Sequence, residues 1–282
     1  MTQAIDILSG HFTADNIRRN FHENEEELSR FAQVGRARQL TSYTPADFIK
    51  RMDAIGVDKV LIASIFTWSF FNQRPLERTL PEEVIEVSDL YPNRLYGLYG
   101  VNPMTATKGV REFERLVKEH RFKGIHIHPH GYNMPPDHAF YFPFYAKCQE
   151  LGVPAVISMG HTLDFMPIEH GRPLHLDRVA LYFPDLAVVC THTGWPWVEE
   201  AIALAWKHPN FFIGTSAYAP KYWQPELVKF INSRGQDKVM WATDYPLIEH
   251  KESLDQIRAL GLKPQAEQKL LRDNAMKVFG FA

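Results

Sequence analysis

Short apolar runs alternate with helical patterns along the whole chain, at the spacing of about 30 residues that is typical of βαβ units. Eight runs have strand character, namely residues 4–8, 59–64, 94–101, 124–128, 154–158, 186–192, 211–215 and 238–243. Such alternation favours a parallel sheet, and eight units predict a (β/α)8 barrel, the TIM-barrel class of α/β fold. A doubly wound open sheet is the alternative, but no G-x-G-x-x-G motif follows the first strand.

The segments between these runs carry helix signals. Thr44 is a candidate N-cap, Pro45 suits the first helical turn, and Asp47 favours the positive end of the helix dipole. A further helix is predicted near residues 264–278. No linker or low-complexity tract divides the chain, so residues 1–282 form one predicted domain. Residues 12–43, with the acidic stretch FHENEEELSR, are predicted to be a helical excursion over the barrel mouth.

Charge and cysteine content restrict the partners. The 31 Lys and Arg residues nearly balance the 33 Asp and Glu residues, and no basic stripe suggests nucleic acid or anionic lipid. Cys148 and Cys190 form no C-x-x-C pair, which argues against a disulfide framework or thiolate zinc site and favours the cytoplasm. No apolar run reaches the roughly 18 residues of a membrane span. We expect a small-molecule substrate. The aromatic residues in the predicted loops would suit the interface of a homodimer.

Polar residues follow the predicted strands, where the chemistry of a parallel barrel gathers. His126 and His128 are two residues apart on one strand, so both should face the barrel interior, where they could also form only a polar packing layer. Asp244 directly follows an apolar strand, and an ionised carboxylate there would be costly to bury without a partner. The other candidates at strand ends are Ser9, His11, Ser158, His161 and His192.

The stretches THTGWPW, WATDYP, GIHIHP and LLRDNAMKVFG resemble the amidohydrolase-related branch of the amidohydrolase superfamily. That branch includes aminocarboxymuconate-semialdehyde decarboxylase and 2-pyrone-4,6-dicarboxylate lactonase. The resemblance covers nearly the whole chain and implies the same barrel fold. It also implies that His192 and Asp244 occupy functional positions at the ends of strands six and eight.

The resemblance also implies a metal site that this sequence lacks in part. The family motif I-D-x-H-x-H falls on residues 5–10 and places Leu8 and Gly10 where histidine ligands are expected. Ser158 stands at the third histidine position, so only Asp244 of that ligand set remains, and a lone carboxylate holds a divalent ion weakly. We therefore predict no metal and no cofactor. The alternative is one divalent ion, such as zinc or manganese, at a relocated site formed by Asp244 with the histidines His11, His126, His128 and His161.

Three functions are compatible with these residues. The main prediction is a metal-independent hydrolase of a lactone, ester or similar carbonyl in a small carboxylated cyclic compound, with Asp244 as general base. His192, with His126 or His128, would stabilise the developing oxyanion. The predicted substrate-binding residues are Ser9, His11, Ser158 and His161, with a loop arginine such as Arg74 or Arg172 for the carboxylate. The alternatives are a nonoxidative decarboxylase of an aromatic or muconate-type acid and a ligand-binding barrel without catalysis.

Overall fold

The strands of the main sheet are parallel and lie in chain order around a nearly closed barrel. The computed structural model describes residues 3–37 and 40–281, so Arg38 and Gln39 of the predicted excursion lie outside the described residues. Within that part the barrel strands are β1 (Ala4–Ser9), β2 (Val57–Ala63), β5 (Leu95–Gly100), β6 (Phe122–Ile127), β7 (Ala155–Ile157), β8 (Val188–Cys190), β9 (Phe211–Gly214) and β10 (Val239–Met240). Each of the eight predicted runs overlaps one of them, which confirms the (β/α)8 prediction.

Hydrogen bonds at the carboxyl ends of the first and last strands bring the two edges of the sheet together. The Ile7 N–H donates to the Trp241 carbonyl over 3.2 Å, and the Asp244 N–H donates to the Leu8 carbonyl over 2.9 Å. The segment that follows β10 is therefore fixed against β1. This contact positions Asp244 at the barrel mouth.

Helices cover the outside of the barrel and follow the strands in alternation. Their bounds are α1 (Ala14–Ile17), α2 (Glu25–Gln33), α3 (Pro45–Ile55), α4 (Pro81–Leu90), α5 (Ala106–Glu119), α6 (Phe142–Leu151), α7 (His175–Tyr182), α8 (Val198–Lys207), α9 (Pro225–Ile231), α10 (His250–Ala259), α11 (Pro264–Gln268) and α12 (Asn274–Val278). Thr44 caps α3 as predicted, because its hydroxyl accepts the Asp47 N–H over 3.2 Å. In the described part of the chain no helix is long and apolar enough to cross a membrane.

The barrel interior is a buried apolar cluster that changes to polar side chains toward the mouth. Ile5, Leu61, Val156 and Met240 belong to this cluster and are essentially inaccessible to solvent. His126 is paired in register with Val156, so its side chain lies on the same inner face of the sheet. A helical C-terminal segment contributes Ala275 and Phe279 to the same cluster. The floor of the site is consequently apolar and inaccessible to solvent.

An antiparallel hairpin follows β2 and was not predicted from the sequence. It consists of β3 (Ile65–Trp68) and β4 (Pro75–Thr79). The N-terminal helices pack against it, since the Asn20 amide donates to the Arg78 carbonyl over 3.1 Å and the Asn24 amide donates to the Leu76 carbonyl over 2.6 Å. The stretch RPLERT gives little strand signal because it is polar and contains proline.

Candidate active site

A cavity of about 390 Å³ opens at the carboxyl end of the barrel. Strand ends, α2 and the long loop after β7 form its walls. Aromatic and aliphatic side chains supply much of the lining, including Ile65, Leu163, Trp195 and Tyr218. The titratable and hydroxyl side chains that line it are Arg30, Arg36, His126, His128, His130, Ser158, His161, Thr162, Asp164, His192, Tyr218, Tyr222 and Asp244. This composition is typical of a pocket for a small organic molecule with a few polar groups.

Asp244 lies in a tight turn directly after β10. Its backbone has a φ of 60°, a conformation that residues other than glycine seldom adopt. The neighbouring Thr243 fixes this turn, because its N–H and hydroxyl both donate to the buried Asp6 carboxylate, over 3.1 and 2.5 Å. Burial raises the pKa of Asp244 to about 6, and the negative charges of Asp6 and Asp164 act in the same direction. Asp244 is thus poised to exchange a proton near neutral pH.

His126 and Ser158 form a hydrogen-bonded pair on adjacent strands. His126 Nε2 lies 2.9 Å from the Ser158 hydroxyl oxygen. Burial lowers the pKa of His126 to about 3, and the neighbouring His128 and His192 lower it further. His126 is therefore a neutral imidazole, and the structure brings both residues to the cavity as predicted candidates for the site.

His192 lies at the end of β8 and contacts the next strand through Ser216. Its Nδ1 atom is 2.8 Å from the Ser216 hydroxyl oxygen, and its backbone N–H donates to the same oxygen over 3.2 Å. The backbone φ of His192 is 56°, and that of Thr193 is 55°. Burial lowers the pKa of His192 to about 4. A second neutral imidazole thus lines the cavity.

A chain of polar and charged side chains connects the barrel to α2. His128 Nε2 lies 3.8 Å from Asp164 Oδ2, and Arg30 Nε lies 2.8 Å from Asp164 Oδ1. Arg30 also contacts Glu27, a residue with 1% exposure. Burial by itself would raise the pKa of Asp164, but Arg30 and His128 outweigh it and hold that pKa below its usual range. Burial raises the pKa of Glu27 to about 7, against the opposing effect of Arg30.

His161 lies at the rim of the cavity. Its backbone N–H donates to the Trp195 carbonyl over 2.6 Å, and its ring meets the Trp195 indole edge to face with centroids 5.4 Å apart. Partial burial lowers the pKa of His161. This position suits contact with the part of a ligand that lies nearest the solvent.

His11 and Ser9 do not join the main cavity. His11 is buried, with Nε2 at 3.1 Å from the Glu83 carbonyl oxygen and Nδ1 at 3.0 Å from the Thr13 hydroxyl. The relocated ligand set that includes His11 is therefore not formed. The Ser9 hydroxyl donates to the Gly10 carbonyl, and Ser9 lines only a small adjoining cavity of about 50 Å³ beside Asp244. Both residues fit structural roles, Ser9 at the end of β1 and His11 in the turn that follows it.

Seven titratable or hydroxyl side chains of the cavity were not among the predicted site residues: Arg30, Arg36, His130, Thr162, Asp164, Tyr218 and Tyr222. Arg74 or Arg172 was expected to bind a substrate carboxylate, but neither lines the cavity, and Arg172 instead pairs with Glu200 at the surface. The available signal for Arg30 was its place in the acidic segment predicted to cover the barrel mouth.

The positions that the resemblance assigns to metal ligands supply no nitrogen atom. Leu8 is packed in the apolar interior, with 2% exposure. Gly10 lies so close to the next turn that a Cβ atom there would meet the Tyr245 carbonyl oxygen at 2.5 Å, so a histidine requires a shift of the backbone. Ser158 faces His126. Among residues 3–37 and 40–281, no three His, Cys, Asp or Glu side chains are placed to hold a metal ion. This donor set does not fit the metal cage of the family.

A family model described as amidohydrolase matches residues 36–281. The chain belongs to the amidohydrolase family. The match confirms the resemblance seen in the sequence and includes the ends of strands β5 to β10 that form most of the cavity.

Three solved structures show the same fold. An uncharacterised TIM-barrel protein from Bordetella bronchiseptica is 24% identical, with 98% of each chain covered and a TM-score of 0.79. The 5-carboxyvanillate decarboxylase from Novosphingobium aromaticivorans, complexed with manganese, is 18% identical, with coverage of 99% of this chain and 96% of that chain and a TM-score of 0.70. The 2,6-dihydroxybenzoate decarboxylase from Rhizobium is 16% identical, with 99% of each chain covered and a TM-score of 0.69.

The solved structures also correct the cofactor prediction. We expected no cofactor from the loss of the ligand motif. That expectation is wrong, because decarboxylases with this fold were crystallised with bound manganese, which points to a divalent metal cofactor.

Proposed function

We propose that this protein is a nonoxidative decarboxylase of a small aromatic monocarboxylic acid. The observation that carries the proposal is a carboxyl group with a pKa of about 6, Asp244, at the edge of a cavity with aromatic walls and a guanidinium group. Nonoxidative decarboxylation needs a proton donor near the carbon that carries the carboxylate. The solved decarboxylases of the same fold support the same reaction class.

Asp244 would supply the proton. Its O–H bond breaks and a C–H bond forms at the ring carbon that bears the carboxylate. The bond to the carboxylate carbon then breaks, its electron pair restores the aromatic ring, and carbon dioxide leaves. Asp244 regains a proton from water. Since its pKa is about 6, Asp244 releases this proton more readily than an acid with a higher pKa, and an appreciable fraction is still protonated near neutral pH.

The cations of the cavity favour one substrate carboxylate rather than two. Arg30 already neutralises Asp164 and contacts Glu27, and Arg36 forms two hydrogen bonds to Glu252, of 2.6 and 3.0 Å. Each substrate carboxylate would therefore share a guanidinium that already pairs with a carboxylate of the protein, so a monocarboxylate places less uncompensated negative charge in the cavity than a dicarboxylate does. The name of the Novosphingobium enzyme, 5-carboxyvanillate decarboxylase, indicates a substrate with a carboxyl group added to vanillate. The name of the Rhizobium enzyme indicates dihydroxybenzoate, which has one carboxyl group. The second pattern fits this cavity better.

The fold points to a divalent cation, yet the ligand positions of the family supply only the Asp244 carboxylate. We assign no chemical step to a cation, because the described donors do not converge on one. The steps above use side chains of this protein alone.

The test is a panel of hydroxybenzoates and matched lactones incubated with the purified protein. The metal content is measured beforehand, and each assay is run with and without added manganese. The proposal predicts release of carbon dioxide from a monocarboxylate, and loss of this release in Asp244→Asn. Hydrolysis of a lactone without carbon dioxide would restore the hydrolase interpretation. Tight binding of the panel with no turnover in either condition would support a ligand-binding barrel.

A further inference from the structure

We propose that Ser216 is a positioning residue that holds His192 as a neutral imidazole with its Nε2–H directed into the cavity. The two residues lie at the ends of neighbouring strands, with 2.8 Å between the Ser216 hydroxyl oxygen and His192 Nδ1. Ser216 would thus determine which ring nitrogen of His192 carries the proton. Only the identity of the substrate oxygen that this N–H binds rests on the proposed function.

The hydrogen-bond partners of Ser216 determine the tautomer. The Ser216 oxygen accepts the His192 backbone N–H over 3.2 Å. Ser216 is fully buried, so water cannot accept its hydroxyl hydrogen. Within the described residues, His192 Nδ1 is the one other hydrogen-bond partner of that hydroxyl. If Nδ1 carried the ring proton, the hydroxyl hydrogen would be buried without an acceptor, which is costly.

The hydroxyl therefore donates to Nδ1, and the proton of the neutral ring is on Nε2. Burial lowers the pKa of His192 to about 4, although a hydrogen bond to the Ser216 backbone and the charge of Asp164 oppose this shift, and the ring therefore stays neutral at physiological pH. In the part of the chain that the structure describes, Nε2 has no hydrogen-bond partner, yet it is not among the buried polar atoms that lack one. Its ring lines the cavity. Nε2–H is thus available to a ligand.

His128 shows the same arrangement with a different partner. Its Nδ1 accepts the Gly131 N–H over 3.1 Å, which places the proton of the neutral ring on Nε2, on the side of Asp164. The His128 N–H therefore faces a carboxylate of the protein, whereas the His192 N–H is left for an anionic oxygen of a ligand and would stabilise it without a full positive charge. Such a donor suits a phenolate or carboxylate oxygen of the proposed substrate. Ser216 is the residue that gives His192 this property.

The test is ¹⁵N NMR of histidine-labelled protein at neutral pH. The His192 signals are identified as those that are lost in His192→Gln. Long-range couplings to the ring hydrogens distinguish a protonated Nε2 from a protonated Nδ1. In the wild type we expect the tautomer protonated on Nε2 to be at least about ten times as populated as the tautomer protonated on Nδ1, because one buried hydrogen bond is worth roughly that factor. The preference should fall severalfold in Ser216→Ala and return in Ser216→Thr.

Ser158→Ala is the matched control, because Ser158 is the other serine bonded to a cavity histidine, His126. It should leave the His192 signals unchanged. Protonation of Nδ1 in the wild type, or an unchanged tautomer in Ser216→Ala, would overturn the proposal. The NMR measurement needs no substrate, so a failed decarboxylase assay and a failed tautomer assignment are separate results.

Discussion

Glu27→Gln should change the pH dependence of stability in a way that tests the buried charges beside the cavity. Glu27 is 1% exposed and its pKa is raised to about 7 from an ordinary value of 4.5. Between these two pH values the folded protein retains a proton that the unfolded chain releases. The free energy of unfolding therefore falls as pH rises through this window, by about 1.4 kcal/mol per pH unit.

The total effect is about 3 kcal/mol by pH 8, since the pKa shift is about 2.5 units. Glutamine has a similar shape and does not titrate, so the variant lacks this loss. Other titrating groups, such as Asp244 and the cavity histidines, contribute nearly equally to both proteins. Their effects cancel in the difference between the two stabilities.

Urea denaturation at pH 5, 6, 7 and 8 measures this difference. We expect the variant to gain about 2.5 kcal/mol relative to the wild type between pH 5 and 8. Glu25→Gln is the control, because Glu25 is exposed on the same helix, and its difference should stay constant. A pH-independent difference for Glu27→Gln would refute the reasoning and show that Arg30 keeps Glu27 ionised throughout.

Three further predictions concern the site. Asp244→Asn should lower turnover by about 10²- to 10⁴-fold, and the wild-type rate should fall above about pH 6 as Asp244 loses its proton; both are measured by carbon dioxide release. Arg30→Lys keeps a positive charge beside Glu27 and Asp164 but loses the planar guanidinium, so KM for a monocarboxylate should rise about tenfold with kcat little changed. Gly10→Ala should cost about 1–3 kcal/mol in urea denaturation, because its Cβ meets the Tyr245 carbonyl; a neutral result would contradict that contact.

The fold was predictable because each βα unit carries its own local signals. Apolar runs gave all eight barrel strands, and Thr44 and Pro45 marked the start of α3. The β3–β4 hairpin was missed because its second strand is a polar, proline-containing stretch. Its pairing depends on contacts with Asn20 and Asn24, which lie about 50 residues away in the sequence.

The site was predictable where residues follow strands directly. His126, His128, Ser158, His192 and Asp244 all line the cavity as their positions at strand ends indicate. Arg30 and Asp164 come from a helix and a loop whose packing over the barrel no local pattern specifies. His11 follows β1 yet turns away from the mouth, because Glu83 and Thr13 bind both of its ring nitrogens.

The most direct test of the proposed reaction is a single-turnover experiment with hydroxybenzoates labelled with ¹³C in the carboxyl group. The protein is supplied in excess, with and without added manganese, and labelled carbon dioxide and the remaining arene are quantified together. We predict equal amounts of both from the wild type and a loss of at least about 100-fold in the initial rate for Asp244→Asn. Retention of all label in the carboxyl group, or equal rates for the two proteins, would contradict Asp244 as the proton donor of a decarboxylase.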